Sequence, residues 1–185
     1  VVTDKTRTIV WQALSWPSTV VHIHKVNAGI NGHGLAVGKT DNCIPFAIEY
    51  EVALTANWDI KKVSIKSLLD ERIIKLVHKG DQWYDAMGKH LVEFDGVKMV
   101  DISISPFTNT LPIKRLQFES KRPQRVDIIY FDENKFSLRR LQQIYSRVDE
   151  RTYRYQDVEL PDFVSDIVVD DEGLVIDFQK MFRRV

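Results

Sequence analysis

The feature that most constrains this chain is two-residue alternation, plainest in Ile44-Pro45-Phe46-Ala47-Ile48-Glu49-Tyr50-Glu51-Val52-Ala53-Leu54. Ile44, Phe46, Ile48, Tyr50, Val52 and Leu54 share one side, while Glu49 and Glu51 share the other. Successive strand side chains point to opposite faces, so this period builds a long strand with one buried and one wet face. A helix would repeat its apolar residues every three or four positions instead. Pro45 has no amide hydrogen to give to a ladder, and marks a strand end or a sheet edge.

Comparable runs predict strands over 6–14, 19–26, 34–39, 60–68, 72–79, 98–104, 125–131, 137–146, 152–158, 163–169 and 174–178. Between them lie turn sequences: Asn27-Ala28-Gly29, Asn31-Gly32, Lys79-Gly80-Asp81, Asp132-Glu133-Asn134-Lys135 and Asp170-Asp171-Glu172-Gly173. Helix is scarce. Residues 108–116 can begin at a Thr cap and run one or two turns with Leu111, Ile113 and Leu116 inward, and Pro112 keeps the helix short. Repeated hairpins without long helices predict a mainly β fold, a rolled or barrel-like antiparallel sheet with one or two short helices. No linker divides residues 1–185, so one domain is expected.

Composition narrows the class. With 44% hydrophobic and 28% charged residues, the chain is not of the disordered type. The single cysteine, Cys43, excludes an intrachain disulfide and any zinc-ribbon or thioredoxin-type motif. No run approaches 18 apolar residues, so no membrane-spanning helix is predicted. Val1-Val2-Thr3-Asp4-Lys5 has no apolar signal region, and the expected location is cytoplasmic. The 26 basic and 26 acidic residues cancel, but unevenly: residues 114–154 carry eleven basic and six acidic groups, and residues 155–178 carry eight acidic and no basic ones. Neighbouring strands with opposite charges would pair them across the sheet. The other reading is a basic surface of Arg122, Arg125, Arg139, Arg140, Arg147 and Arg151, interleaved with Phe118, Tyr130, Phe136 and Tyr145 as nucleic-acid binders like. The acidic segment can neutralise it, so no nucleic-acid partner is expected.

Several strings imitate catalytic or metal motifs. Gly34-Leu35-Ala36-Val37-Gly38-Lys39-Thr40 has three residues between its glycines where a phosphate-binding loop needs four, and a strand follows it rather than a helix. His22 and His24 share one strand face, a spacing that metal sites use, and His33 is a candidate third ligand. The alternative places them on a polar face, with Val21 and Lys25 packed opposite. His78 and His90 stand alone and read as exposed. Asp81, Asp85, Asp95 and Asp101 lie near Trp83, Tyr84 and His90, and paired carboxylates beside aromatics can serve a hydrolase. Turn and cap roles explain Asp85 and Asp95 as well. No nucleophile elbow is present.

One stretch is far more specific. Trp83-Tyr84-Asp85-Ala86-Met87-Gly88, Phe94-Asp95-Gly96 and Val100-Asp101-Ile102-Ser103 lead into Ser105-Pro106-Phe107-Thr108-Asn109-Thr110-Leu111-Pro112-Ile113-Lys114-Arg115-Leu116. This resembles the bacterial family of putative glycolipid-binding proteins, formerly a domain of unknown function. Ile9-Val10-Trp11, Tyr50 with Trp58, Tyr145, Tyr153-Arg154-Tyr155, Asp170 with Gly173-Leu174-Val175-Ile176-Asp177 and Phe182-Arg183-Arg184 extend the resemblance over nearly the whole chain. Val97 stands where the family commonly has Cys, and Asp177-Phe178-Gln179-Lys180 replaces its usual closing hairpin.

The resemblance implies a spiral or half-barrel sheet, similar in shape to bacterial lipid and lipoprotein carriers, that binds a glycolipid or other amphipathic ligand in its concave face without catalysis. A tail would lie on Phe46, Ile48, Tyr50, Val52, Ile65 and Val77, unless these rows fill a dry core. For the polar head, suitable residue types are Trp83, Asp85, Asp101, Thr108, Asn109 and Arg115, with Tyr153 and Tyr155 along one strand face. Thr108, Asn109 and Thr110 can equally form a cap and turn, and Arg115 can pair with Asp101. No catalytic residue, metal or cofactor is assigned. Two other readings stay open: a hydrolase of a sugar or lipid head group using Asp85, Asp95 or Asp101, and a β-rich interaction module or homodimer using an exposed strand edge.

Overall fold

The computed structural model describes residues 5–27, 29–40, 42–118 and 122–185. Fourteen strands form one sheet. In chain order they are β1 (Lys5–Ala13), β2 (Ser18–Val26), β3 (Ile30–Lys39), β4 (Pro45–Leu54), β5 (Ile60–Ser67), β6 (Ile73–Lys79), β7 (Gln82–Tyr84), β8 (Met99–Ile102), β9 (Gln124–Asp132), β10 (Ser137–Arg147), β11 (Thr152–Asp157), β12 (Val164–Val169), β13 (Val175–Phe178) and β14 (Phe182–Arg184). The spatial order, β7-β6-β5-β4-β3-β2-β1-β14-β13-β12-β11-β10-β9-β8, is two seven-strand meanders joined where β1 meets β14. At that junction Trp11, Gln12 and Ala13 face Arg184, Arg183 and Phe182. Pairing is antiparallel everywhere except between β8 and β9, which run parallel.

The sheet curls and stays open, with β7 and β8 as its two edges. Residues 85–98 connect β7 to β8 and bind back to β7 and the turn before it: Trp83 Nε1 donates to Val97 O, Gly96 N to Asp81 O, and Leu91 N to Trp83 O, each at 2.8 Å. Inside the curl lie a one-turn 3-10 helix, Pro106–Asn109, and α1 (Thr110–Arg115), the only α-helix among the described residues. Phe107, Leu111 and Thr110 of this insert are fully buried. The tail wall expected from β4 and β5 is therefore largely occupied: Phe46, Ile48, Tyr50, Val52 and Ile65 share one core with Phe107 and Leu111, while Val77 is only partly buried.

The mainly β, rolled architecture agrees with the alternation, and β4 begins at Pro45 and faces Glu49 and Glu51 outward. Three local expectations are corrected. Asn31-Gly32 is not a turn but lies inside β3, paired with Ala53 and Val52. The strands β7 and β14 add three residues each where no strand was expected. Ser105, not Thr108, caps the helical insert, its hydroxyl accepting from Phe107 N. Gly80 and Gly173, in two expected turns, adopt φ of +63° and +78°; Ala28 lies outside the described residues.

The opposite charges of the C-terminal half meet across neighbouring strands and loops. Arg139 pairs with Glu159, Arg151 with Asp171 and Arg154 with Asp166. Each ties a group from the basic stretch to one from the acidic stretch, as the pairing reading expects.

Candidate functional site

The helical insert is anchored by polar side chains that the sheet buries. Asp101 on β8 receives hydrogen bonds from Thr108 Oγ1 at 2.9 Å and from Gln143 Nε2 at 2.7 Å. Thr108 Oγ1 also accepts from Ile102 N at 3.0 Å, so one hydroxyl ties the insert to β8 twice. Tyr145 Oη on β10 donates towards Asn109 Oδ1 at 2.9 Å and Gln143 Oε1 at 3.0 Å. Burial pushes the Asp101 carboxyl above the usual carboxylate range; the bonds from Gln143 and Thr108 oppose this, and Asp157 adds to it.

This network floors a cavity of about 190 Å³. Its polar lining is Asp101, Ser103, Ser105, Asn109 and Asp157, with Tyr130 and Tyr155. Its apolar lining is Leu160, Phe163, Phe178, Met181 and Phe182. Among the described residues no basic side chain lines it. Burial pushes both phenols up, so they stay protonated at neutral pH. An engineered apolar cavity of ~150 Å³ admits benzene, so this space suits one six-membered ring or a short chain.

Of the residues read as ligand contacts, Asp101, Asn109 and Tyr155 line the cavity, and Thr108 stands directly behind Asp101. The others do not line it. Trp83 is fully buried on β7, stacked on His78 with ring centroids 4.4 Å apart. Asp85 closes its own turn, accepting from Met87 N and Lys89 N at 2.9 Å. Asp95 binds His90 Nε2 at 2.7 Å. Arg115 pairs with Asp59, not Asp101. Tyr153 shares the inward face of β11 with Tyr155 but packs edge-on against Phe118. The trio Asp85, Asp95 and Asp101 therefore does not converge; the second carboxylate beside Asp101 is Asp157.

The histidines are also placed differently from the sequence reading. His22 and His24 face inward and are buried, while Val21 and Lys25 face out. His33 lies on the outer face of β3, bonded to Glu49 at 2.9 Å, so the three cannot share an ion. His78 and His90 are partly buried and bonded rather than free. His22 Nδ1 lies 2.9 Å from Tyr50 Oη, which lies 2.7 Å from Ser105 Oγ on the cavity wall. Sequence reasoning missed Ser105, Tyr50 and His22 as one unit. Their only shared signal is inward parity on β2 and β4, and the contact joins residues 28 and 55 positions apart.

Fold and site together define a class: a curled, barrel-like single sheet, filled by its own helical insert, with a small cavity of mixed polar and apolar lining beside that insert. The chain belongs to the family described as "Putative glycolipid-binding", whose model matches residues 8–184. Among solved structures, a DUF1089-family protein from Pseudomonas aeruginosa is 27% identical, with a TM-score of 0.80 over 90% of this chain and 92% of that one. A β-barrel-like protein of the domain of unknown function DUF1849 from Brucella abortus shares the fold at 8% identity, with a TM-score of 0.52 over 99% of this chain and 95% of that one. No curated protein sequence matches it. No helix among the described residues is long and apolar enough to cross a membrane.

Proposed function

We propose that this protein binds an amphipathic ligand, a glycolipid or a molecule of similar two-sided chemistry, without transforming it. One observation carries the reading: the same cavity is lined by the polar Asp101, Ser105 and Asn109 and by the apolar Phe178, Met181 and Phe182. Its volume is below the ~300 Å³ at which pockets for whole drug-sized ligands begin, so it holds one ring or the first carbons of a chain, with the remainder outside. The family description supports the same class of ligand.

The test is native mass spectrometry of the purified protein, with thermal stability measured against n-octyl β-D-glucoside. A co-purifying amphiphile, or a melting temperature that rises with the glucoside and loses that rise in Phe182→Asp, is the expected result. A protein that emerges empty and is stabilised by no amphiphile sinks the reading. Hydrolysis of a head group is the second reading, favoured by Asp101 and Asp157 sharing one cavity. It requires turnover of an aryl glycoside or ester that Asp101→Asn and Asp157→Asn abolish.

A further inference from the structure

Ser105 sits between two environments. On one side it faces the cavity; on the other it ends a buried chain of hydrogen bonds that begins at His22. Its Oγ accepts from Phe107 N at 3.3 Å and lies 2.7 Å from Tyr50 Oη. Tyr50 Oη lies 2.9 Å from His22 Nδ1, and His22 Nε2 is buried without a hydrogen-bond partner. The polarity of the chain depends on which nitrogen carries the proton of the neutral ring.

A proton on Nε2 would bury an N–H with no acceptor. A proton on Nδ1 leaves only a bare ring nitrogen there. Buried orphan N–H groups are the rarer and costlier of the two. With the proton on Nδ1, His22 donates to Tyr50 Oη, and Tyr50 donates to Ser105 Oγ. Ser105 then accepts twice, from Tyr50 and from Phe107 N, and its own hydrogen is left to donate into the cavity. The strand β3 makes room for this arrangement. A Cβ at Gly34 would meet the Tyr50 ring at 2.3 Å, and one at Gly32 would meet the His22 ring at 2.8 Å.

Asp101 complements that donor. Its two oxygens already receive Thr108 and Gln143 and keep lone pairs for a further hydroxyl. Asp157 adds a second carboxylate, and no cation offsets the two. An anionic head meets like charge here. A quaternary ammonium suits the carboxylates but offers Ser105 no acceptor. A hydroxyl both donates and accepts.

We propose that Ser105 is a specificity-determining donor, its hydrogen turned to the ligand by His22 and Tyr50, and that with Asp101 it selects an uncharged, hydroxyl-bearing head over an anionic one. This rests on the cavity reading above, and the experiment separates the two. Isothermal titration compares n-octyl β-D-glucoside with n-octyl sulfate, both below micelle-forming concentrations, on the wild type, Ser105→Ala and Tyr50→Phe. The glucoside is expected to bind at least about tenfold tighter than the sulfate, and Ser105→Ala to lose about tenfold for the glucoside, the worth of one hydrogen bond of about 1.4 kcal/mol. Tyr50→Phe, which keeps the ring in place, is expected to weaken the glucoside while leaving the sulfate unchanged. Nitrogen-15 NMR of the wild type is expected to show His22 protonated at Nδ1, a readout that needs no ligand and no variant. Equal binding of both amphiphiles, an unchanged Ser105→Ala, or an Nε2 proton on His22 overturns the proposal and leaves the cavity reading standing. Failure of both amphiphiles to bind overturns both readings, and binding of the sulfate alone overturns the selectivity.

Discussion

His22 and His24 illustrate how a residue's surroundings, not its type, set its chemistry. Both are buried on β2 between aromatic rings: His22 against Phe107 at 4.2 Å and His24 against Trp58 at 5.7 Å between centroids. Burial first, and neighbouring positive groups second, hold the imidazoles down to about 3 and about 4, from 6.5 in the unfolded chain. The unfolded state therefore binds more protons between those values. The associated stability is fully present above pH 6.5 and is lost as pH falls, by roughly 1.4 kcal/mol per unit for each ring. Urea unfolding between pH 7.5 and pH 5 is expected to show this slope, and His24→Phe to remove about half of it. The partly buried His78 adds a smaller share of the same sign, and the raised carboxyl of Asp101 opposes it, so Asp101→Asn is the control that separates the imidazole slope. Gly34 makes the same point. Read along the chain, it belonged to a failed phosphate-loop pattern. In the fold it is the space that Tyr50 occupies. Gly34→Ala is expected to cost about 1–3 kcal/mol by overpacking, measured by denaturant unfolding.

Among the elements, the strands were the more legible. The run at 44–54 is long enough to show its period, and β4 carries that parity into the core. The strands β7 and β14 hold three residues each, fewer than two full alternations, so the pattern has nothing to repeat. The insert at 106–115 was legible as a short helix but not in its purpose. Its cap, its burial and its bonds to β8 come from residues that approach it in space. Thr108 is the clearest case, because its hydroxyl satisfies Ile102 N and donates to Asp101. Thr108→Val keeps the shape and leaves a buried amide unpaired. A loss of about 1–3 kcal/mol is expected on urea unfolding, with Thr108→Ser restoring most of it.

At the scale of the molecule, the β1–β14 junction closes the two meanders into one sheet. Trp11 Nε1 donates to Val175 O at 2.8 Å, and Arg184 reaches Leu174 O, Val175 O and Asp170. Arg184 and Asp170 are mostly buried, whereas Lys5, paired with Glu172 nearby, is 55% exposed. Arg184→Met is therefore expected to cost about 2–3 kcal/mol and Lys5→Met less than about 1 kcal/mol, by thermal or urea unfolding. Alternation, turn residues and the segregation of charge are local properties, written in residues a few positions apart. By themselves they determined a mainly β chain, a rolled sheet and the pairing of its basic with its acidic stretch. Closure, the filling of the roll and the cavity depend on contacts between residues distant in sequence, such as Tyr50 with Ser105 and Asp101 with Gln143. Only the tertiary structure decided those. A strand's period says which face a side chain takes, and curvature decides which distant side chain it meets there.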